Sequence, residues 1–211
     1  MRIDLHILAL PERKDTLDRA VQSVPRDLFN LRVIPSSLEE PLGKTRMQAL
    51  SLGTSEYCTF LNDDDELISE GAYKVVEDLR AHPAAVGVFS DELVIVDSTG
   101  EVKPGRSTGT GPWDPMLMFR YPSYGHQLII IKKSVLNRHA AMASVWGCLS
   151  EYVLRCLAMQ DGAWIHSPYD AYKWHIHDSN NHKLISHRQR LEASKFVLPV
   201  LNYCKYLPQV N

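Results

Sequence analysis

The sequence has few cysteines, no long apolar run and no excess of either charge. Its 211 residues include four cysteines, none of them in a CxxC pair: Cys58, Cys148, Cys156 and Cys204. Buried free thiols are therefore expected in place of disulfides or a zinc site. No stretch approaches the roughly 18 apolar residues of a membrane span, and charged residues near the first position interrupt any signal-like apolar core. These absences predict a cytoplasmic protein with no stable membrane insertion.

The composition is that of an ordinary globular domain. Hydrophobic residues make up 45% of the chain and charged residues 23%, with a formal net charge of −2. This length and composition fit one α/β domain over residues 1–211, with a sizeable core and a tail of helices and loops. The small net charge gives no general attraction to nucleic acid or to an anionic membrane, so such a partner would need a local basic patch.

The most informative stretch is an apolar run that ends abruptly in four acids. Tyr57 to Leu61 favours a buried strand, and after Asn62 the acids occupy positions 63–66. In an open α/β sheet, ligands bind at the carboxyl ends of the strands, and hard oxygen ligands suit Mg²⁺, Mn²⁺ or Ca²⁺. The alternative is that Asp64 or Asp65 caps a following helix. Because capping uses only one or two acids, the cluster favours a metal that binds a diphosphate.

The first half of the chain predicts alternating strands and helices. We expect a strand over Ile3 to Leu10, a helix over Thr16 to Val24 and a strand over Leu28 to Ile34. This β-α-β order implies parallel strands joined by a right-handed crossover. A further helix is expected from about Thr45 to Gly53.

Arg46, near the start of that helix, is a candidate for binding phosphate. Gly43-Lys44-Thr45 is similar to the end of a P-loop, but position 38 is Leu where that motif requires glycine. The P-loop interpretation is therefore weak. Arg46 is either a solvated surface residue or a ligand of the diphosphate, and its nearness to the acidic strand end favours the second role.

The second half of the chain predicts several shorter elements and one long loop. Lys103 to Pro122 is rich in glycine, proline and aromatic residues, which is typical of a lid, of an acceptor-binding surface or of a packed crossover. The expected elements are a helix over Ser69–Arg80, strands over Val86–Asp91 and Leu93–Asp97 before a hairpin turn at 97–100, a strand over Gln127–Lys132, a helical stretch through His139, a helix over Leu149–Ala158 and a short strand over Ala163–Ile165.

Three later features are candidates for chemistry. Glu151 lies in the first turn of its helix, where a carboxylate either complements the helix dipole or serves as a base in a cleft. His175 and His177 fall on one side of an extended run and, with Asp178, can ligate a metal or bind phosphate, although a polar surface is the alternative. The basic tail over 183–211 is either a solvated face or a contact for an anionic acceptor.

Three motifs in this order resemble those of family-2 glycosyltransferases, which have the GT-A fold. They are Gly43-Lys44-Thr45-Arg46 leading into Phe60-Leu61-Asn62-Asp63-Asp64-Asp65, the hairpin from Val86 to Gly100, and Ser150-Glu151-Tyr152 with the later Tyr172-Lys173-Trp174-His175. The resemblance covers about residues 3–182. It implies a Rossmann-like, mostly parallel twisted sheet flanked by helices. It also implies a nucleotide-sugar-binding half over 1–100, an acceptor and catalytic half over 101–182 and a C-terminal helical tail over 183–211.

The resemblance also implies roles for individual residues. Asp64 would be the principal ligand of Mn²⁺ or Mg²⁺, with Asp63 or Asp65 sharing the ion and His175 close to it, and Glu151 would be the catalytic base. The sequence departs from the family pattern at Asn62, where aspartate is usual, and at Glu151, which replaces aspartate. The residues expected to contact the nucleotide sugar are Pro11, Arg13, Lys44, Arg46, Asn62 and Asp63.

These roles predict a metal-dependent, inverting hexosyltransferase. It would move a sugar from a nucleoside-diphosphate sugar, most simply a UDP-sugar, to the hydroxyl of a saccharide, a small molecule or a hydroxymethylated DNA base. Two other classes stay open. One is a nucleotidyltransferase, which releases pyrophosphate, and the other is an inactive module that binds nucleotide sugars, as the Asn62 substitution suggests.

Overall fold

The strands and helices of the chain follow one another in an α/β order. The computed structural model describes residues 1–37, 42–105, 127–144 and 150–178, and the predicted tail over 183–211 and most of the loop over 103–122 lie outside them. In chain order the elements are β1 (Ile3–Ala9), α1 (Lys14–Ser23), β2 (Phe29–Pro35), α2 (Leu42–Ser51), β3 (Tyr57–Asn62), β4 (Glu66–Leu67), α3 (Ser69–Ala81), β5 (Gly87–Val96), β6 (Glu101–Pro104), β7 (Ile129–Lys132), α4 (Lys133–Ser144), α5 (Ser150–Ala158) and β8 (Trp164–Ile176).

These strands form one mixed sheet, which confirms the predicted α/β fold class. The strand order is β2-β1-β3-β7-β5-β8-β4, and β6 pairs with β5 beside this path. As predicted, β1 is parallel to both β2 and β3. The strand β7 is antiparallel to β3 and to β5, so the chain reverses direction in the middle of the sheet. Because β1 and β3 are parallel neighbours, their carboxyl ends lie side by side at the same end of the sheet.

Helices cover both faces of the sheet, and the two faces alternate along β1. Ile3, Leu5 and Ile7 point into the core that contains side chains of α1 and α3. Leu8 belongs to the core on the other face, with side chains of α2, α4 and α5. Because both faces are covered, the central strands read as nearly continuous apolar runs. Cys58 is buried as a free thiol, as predicted.

In two places the structure has one long strand where the sequence predicted two separate extended segments. The strand β5 runs from Gly87 through Val96, and β8 runs parallel to it for 13 residues from Trp164 to Ile176. The register between them shifts on both sides of Asp91. Such an irregularity interrupts the alternation of apolar and polar residues, which is why the sequence pattern indicated separate strands.

The acids after β3 do not cap a helix. The short strand β4 follows them, and α3 begins at Ser69 with Ile68 at its N-cap. The capping interpretation of Asp64 and Asp65 was therefore wrong. No helix within the described ranges is long and apolar enough to cross a lipid bilayer.

Candidate active site

The turn after β1 and the acids after β3 meet at the edge of the sheet. Leu8 of β1 pairs with Asn62 of β3, so the residues that follow each strand are close together. The Asp63 carboxylate accepts a hydrogen bond from the Leu10 backbone N–H at 2.7 Å and another from Arg13 Nη1 at 2.9 Å. Burial raises the pKa of Asp63, while these two donors oppose the shift. Asp63 therefore links the turn after β1 to the end of β3 by hydrogen bonds.

Asp64 contacts both an arginine and a histidine through its side chain. Its Oδ2 accepts a hydrogen bond from Arg13 Nη1 at 2.7 Å and lies 3.1 Å from Nε2 of His177. Its backbone carbonyl accepts a hydrogen bond from Arg19 at 3.0 Å. The second carboxylate oxygen, Oδ1, accepts no hydrogen bond from the described residues. Asp64 thus combines cationic neighbours with one carboxylate oxygen to which no described residue donates.

Asp65 is buried and holds the strands together. Its side chain accepts hydrogen bonds from the Tyr172 hydroxyl at 2.7 Å, the His175 backbone N–H at 2.8 Å and the Asn62 amide at 2.9 Å. Burial raises the pKa of Asp65 to about 7, the nearby Asp64 charge adds to the shift, and the three donors oppose it. Both carboxylate oxygens accept hydrogen bonds from the protein, which gives Asp65 a structural role, and its part in metal binding stays a prediction.

His175 lies between two other carboxylates. Its Nδ1 is 2.6 Å from Asp97 Oδ1 and its Nε2 is 2.9 Å from Glu66 Oε1. The imidazole therefore bridges β4 and the turn after β5, and neither ring nitrogen is directed at Asp64. His177, two residues further along the chain, is the histidine that reaches Asp64.

Glu151 lies in the first turn of α5 and accepts hydrogen bonds from two distant segments. Arg46 Nη2 lies 3.0 Å from Glu151 Oε2, and Gln127 Nε2 donates to Oε1 at 2.9 Å. Burial raises the pKa of Tyr172, and the charges of Asp65, Glu151 and Asp64 raise it further. The Tyr172 hydroxyl is therefore influenced both by Glu151 and by the acids that follow β3.

The structure brings together most, but not all, of the side chains that the sequence singled out. Lys44 is exposed on α2, and Pro11 is exposed in the turn between β1 and α1. Arg46 contacts the Glu151 end of the site. The residues that meet around Asp64 are Arg13, Asn62, Asp63 and Asp65, and their assigned roles stay predictions.

The structure places in this site two residues that the sequence did not single out, Arg19 and Gln127. It also places there His177, which the sequence offered with His175 and Asp178 as a ligand of a metal or of phosphate. Arg19 and Gln127 carried no local signal, because each meets its partner through the fold. Arg19 donates to a carbonyl 45 positions later, and Gln127 approaches Glu151 from the residues before β7.

Asp64 and His177 are the residues best placed to hold a divalent ion. Among the described residues, no group of three or more His, Cys, Asp and Glu side chains is arranged for a metal. Two protein ligands nevertheless suffice where substrate phosphates and water complete the shell. Two adjacent ligands of one ion, each bound at about 2.1 Å, lie about 3 Å apart. The 3.1 Å between Asp64 Oδ2 and His177 Nε2 matches that spacing but is equally a hydrogen-bond distance, and Oδ2 also accepts a hydrogen bond from Arg13 at 2.7 Å. An ion held by both residues would replace these contacts.

Neither family models nor curated proteins match this sequence. Solved structures match its fold. S. aureus TarS 1–349 has a TM-score of 0.62 at 13% identity, over 83% of this chain and 60% of that one. Its complex with UDP-GlcNAc has a TM-score of 0.63 at 12% identity, over 87% and 61%. Its complex with UDP has a TM-score of 0.59 at 13% identity, over 83% and 61%.

These similarities show that the chain shares the fold of TarS. The chain spans about 60% of the length of the TarS 1–349 structures that it matches. At 12–13% identity the resemblance concerns the fold alone.

Proposed function

We propose that this protein is a glycosyltransferase that transfers a hexose from a nucleoside-diphosphate sugar to an acceptor hydroxyl. The observation that carries the proposal is the Asp64–His177 pair at the carboxyl edge of β1 and β3, in a fold shared with TarS. TarS binds UDP-GlcNAc and UDP in its solved complexes, so a UDP-sugar is the simplest donor. In an open α/β sheet, this edge is also where ligands bind.

The donor diphosphate would lie at Asp64. Asp64 and His177 would hold Mn²⁺ or Mg²⁺, which when bound offsets the negative charge that develops on the leaving diphosphate. Arg13 and Arg19 add positive charge at the same place, since both contact Asp64. Asp63 orients Arg13 by accepting a hydrogen bond from the same nitrogen that reaches Asp64. Because three of the acids at positions 63–66 pair with these arginines, the bound ion would supply the excess positive charge that an anionic ligand needs.

Glu151 would act as the general base. The acceptor oxygen attacks the anomeric carbon, the bond from that carbon to the diphosphate oxygen breaks, and the hydroxyl proton passes to the Glu151 carboxylate. The nucleoside diphosphate then leaves with the bonding electron pair. Attack from the face opposite the leaving group inverts the anomeric configuration. Acceptors consistent with this chemistry are a saccharide, a small molecule or a hydroxymethylated base in DNA.

Release of free nucleotide tests the proposal without knowledge of the acceptor. The protein is incubated with Mn²⁺ and, separately, with UDP-GlcNAc, UDP-glucose, UDP-galactose and GDP-mannose, and released UDP or GDP is quantified. We expect slow hydrolysis of at least one donor, which EDTA abolishes. Absence of release from every donor, together with absence of UDP binding, would refute the proposed function.

Two variants with a matched control separate the assigned roles. Asp64→Ala and Glu151→Gln should each lower nucleotide release by about 100-fold or more, because each removes a group that acts on the reacting atoms. The control is Glu77→Gln, which makes the same chemical change on the exposed face of α3, where Glu77 pairs with Lys74. Full activity in Glu151→Gln would exclude Glu151 as the base while leaving donor binding intact.

A further inference from the structure

Arg46 is buried at the Glu151 end of the candidate site. Only 5% of the residue is exposed, and its guanidinium carbon lies 5.7 Å from the centre of the Phe60 ring. Nη1 donates to Ser150 Oγ at 2.7 Å, and Nη2 lies 3.0 Å from Glu151 Oε2. Both terminal nitrogens therefore reach from α2 to the first turn of α5, across 104 and 105 residues of sequence.

Gln127 holds the other oxygen of the same carboxylate. It is 1% exposed, and its Nε2 donates to Glu151 Oε1 at 2.9 Å. The two oxygens of Glu151 thus accept hydrogen bonds from separate segments. Arg46 of α2 donates to one oxygen, and Gln127, two residues before β7, donates to the other. Two donors at different positions fix the plane of a carboxylate as well as its distance from the substrate.

A buried arginine is costly, so its partner indicates its purpose. Removing a guanidinium from water carries a penalty that a paired carboxylate and satisfied hydrogen bonds offset only in good geometry. Here the guanidinium pairs with Glu151, whose side chain stays 19% exposed. Each carboxylate oxygen accepts two hydrogen bonds, so Glu151 keeps an accepting position on each oxygen for the proton of a substrate hydroxyl.

We propose that Arg46 and Gln127 are positioning residues that hold the Glu151 carboxylate in its working orientation, and that Arg46 does not bind the donor diphosphate. This inference rests on the proposed function, because it gives Glu151 its supporting contacts. It differs from the sequence-based expectation, which assigned Arg46 to the nucleotide sugar. The arrangement assigns one cationic residue, Arg13, to the Asp64 end of the site and another, Arg46, to the base.

The test separates catalysis from donor binding. Nucleotide release from the preferred UDP-sugar is measured with Mn²⁺ for the wild type, Arg46→Gln and Gln127→Met, and binding of UDP with Mn²⁺ is measured by calorimetry. We expect kcat to fall about 100-fold in Arg46→Gln, as a small displacement of a catalytic group commonly produces. In Gln127→Met, loss of one hydrogen bond should lower kcat about 10-fold. KM for the donor and Kd for UDP should stay at their wild-type values.

A conservative variant and a control make the test specific. Arg46→Lys keeps the buried positive charge but reaches only one of its two partners, so its kcat should lie between those of the wild type and Arg46→Gln. The control is Arg32→Gln, which removes an arginine that pairs with Asp4 at 3.2 Å away from the candidate site. This control should leave kcat, KM and Kd unchanged.

The outcomes that overturn the inference differ from those that overturn the function. If Arg46→Gln weakens UDP binding about 10-fold or more at unchanged kcat, then Arg46 is a donor ligand and the inference is wrong. Unchanged kcat in Gln127→Met and Arg46→Lys, with Glu151→Gln inactive, also overturns it and leaves the proposed function standing. If Arg46→Gln does not fold, Gln127→Met decides alone, because it leaves the Arg46–Glu151 pair in place. A wild type that neither binds UDP nor hydrolyses any donor refutes the function itself.

Discussion

Replacing Asp65 by alanine should destabilise the fold much more than the same change at Asp64. The Asp65 side chain accepts hydrogen bonds from Tyr172, from the His175 backbone and from Asn62. Tyr172 is fully buried and His175 nearly so, hence at least two donors lose their acceptor where water does not reach them. Each unsatisfied buried donor costs about 1–3 kcal/mol, which gives a loss of about 2–6 kcal/mol. That is a large share of the 5–15 kcal/mol typical of a whole domain.

Asp64→Ala should have the opposite profile. Arg13 keeps its contact with Asp63, so its guanidinium keeps a carboxylate partner and the loss of stability should be smaller, about 1–2 kcal/mol. Binding of UDP in the presence of Mn²⁺ should nevertheless disappear, because Asp64 provides the carboxylate that would hold the ion. Urea unfolding followed by circular dichroism measures the first quantity, and calorimetry measures the second.

The two profiles together test the division of labour among the acids. Equal stability of Asp65→Ala and Asp64→Ala would refute the structural role of Asp65. Wild-type affinity of Asp64→Ala for UDP and Mn²⁺ would refute the assignment of the donor site to Asp64. Tyr172→Phe provides a graded control, because it removes a single hydrogen bond to Asp65 and should cost about 1 kcal/mol without altering UDP binding.

Two further predictions concern the core. Burial lowers the pKa of His6 to about 4, so the folded state keeps its ring neutral while the unfolded chain takes up a proton near pH 6.5. The free energy of unfolding should therefore fall by up to about 3 kcal/mol as the pH drops from 6.5 to 4. In urea titrations at pH 7 and 4.5, His6→Leu should remove that part of the loss. An unchanged pH dependence in His6→Leu would contradict this prediction. Gly71→Ala should lower the stability by about 1–3 kcal/mol in thermal unfolding despite the higher helix propensity of alanine, because a Cβ there would lie 2.0 Å from the Asp170 carbonyl oxygen. A melting temperature at or above that of the wild type would show that α3 can move away from β8.

Local sequence patterns predicted the elements whose apolar pattern is regular along their whole length. The strand β3 and the helix α3 lie within one residue of their expected bounds, because an apolar run ends in acids in one case and an amphipathic pattern continues for three turns in the other. The union of Val86–Asp91 with Leu93–Asp97 into β5 was not predictable in the same way. There the shift of register around Asp91 arises in the pairing with β8, and a local sequence pattern carries no information about that pairing.

The candidate site shows the same limit. The cluster of acids after β3 was visible in the sequence, because four consecutive carboxylates need partners. Which histidine reaches Asp64 depends on the register of β8, in which Lys173 pairs with Glu66 and His175 with Ile95. The contact between Arg46 and Glu151 joins residues 105 positions apart, so the sequence showed only that Arg46 is near the acidic strand end, and this placed it with the diphosphate.

Anomalous diffraction from crystals soaked with UDP and Mn²⁺ tests the donor site most directly. We expect a manganese peak bonded to Asp64 and to His177 Nε2, with the UDP diphosphate completing its shell. The absence of manganese at Asp64, or UDP bound elsewhere on the protein, would contradict the proposed transferase site.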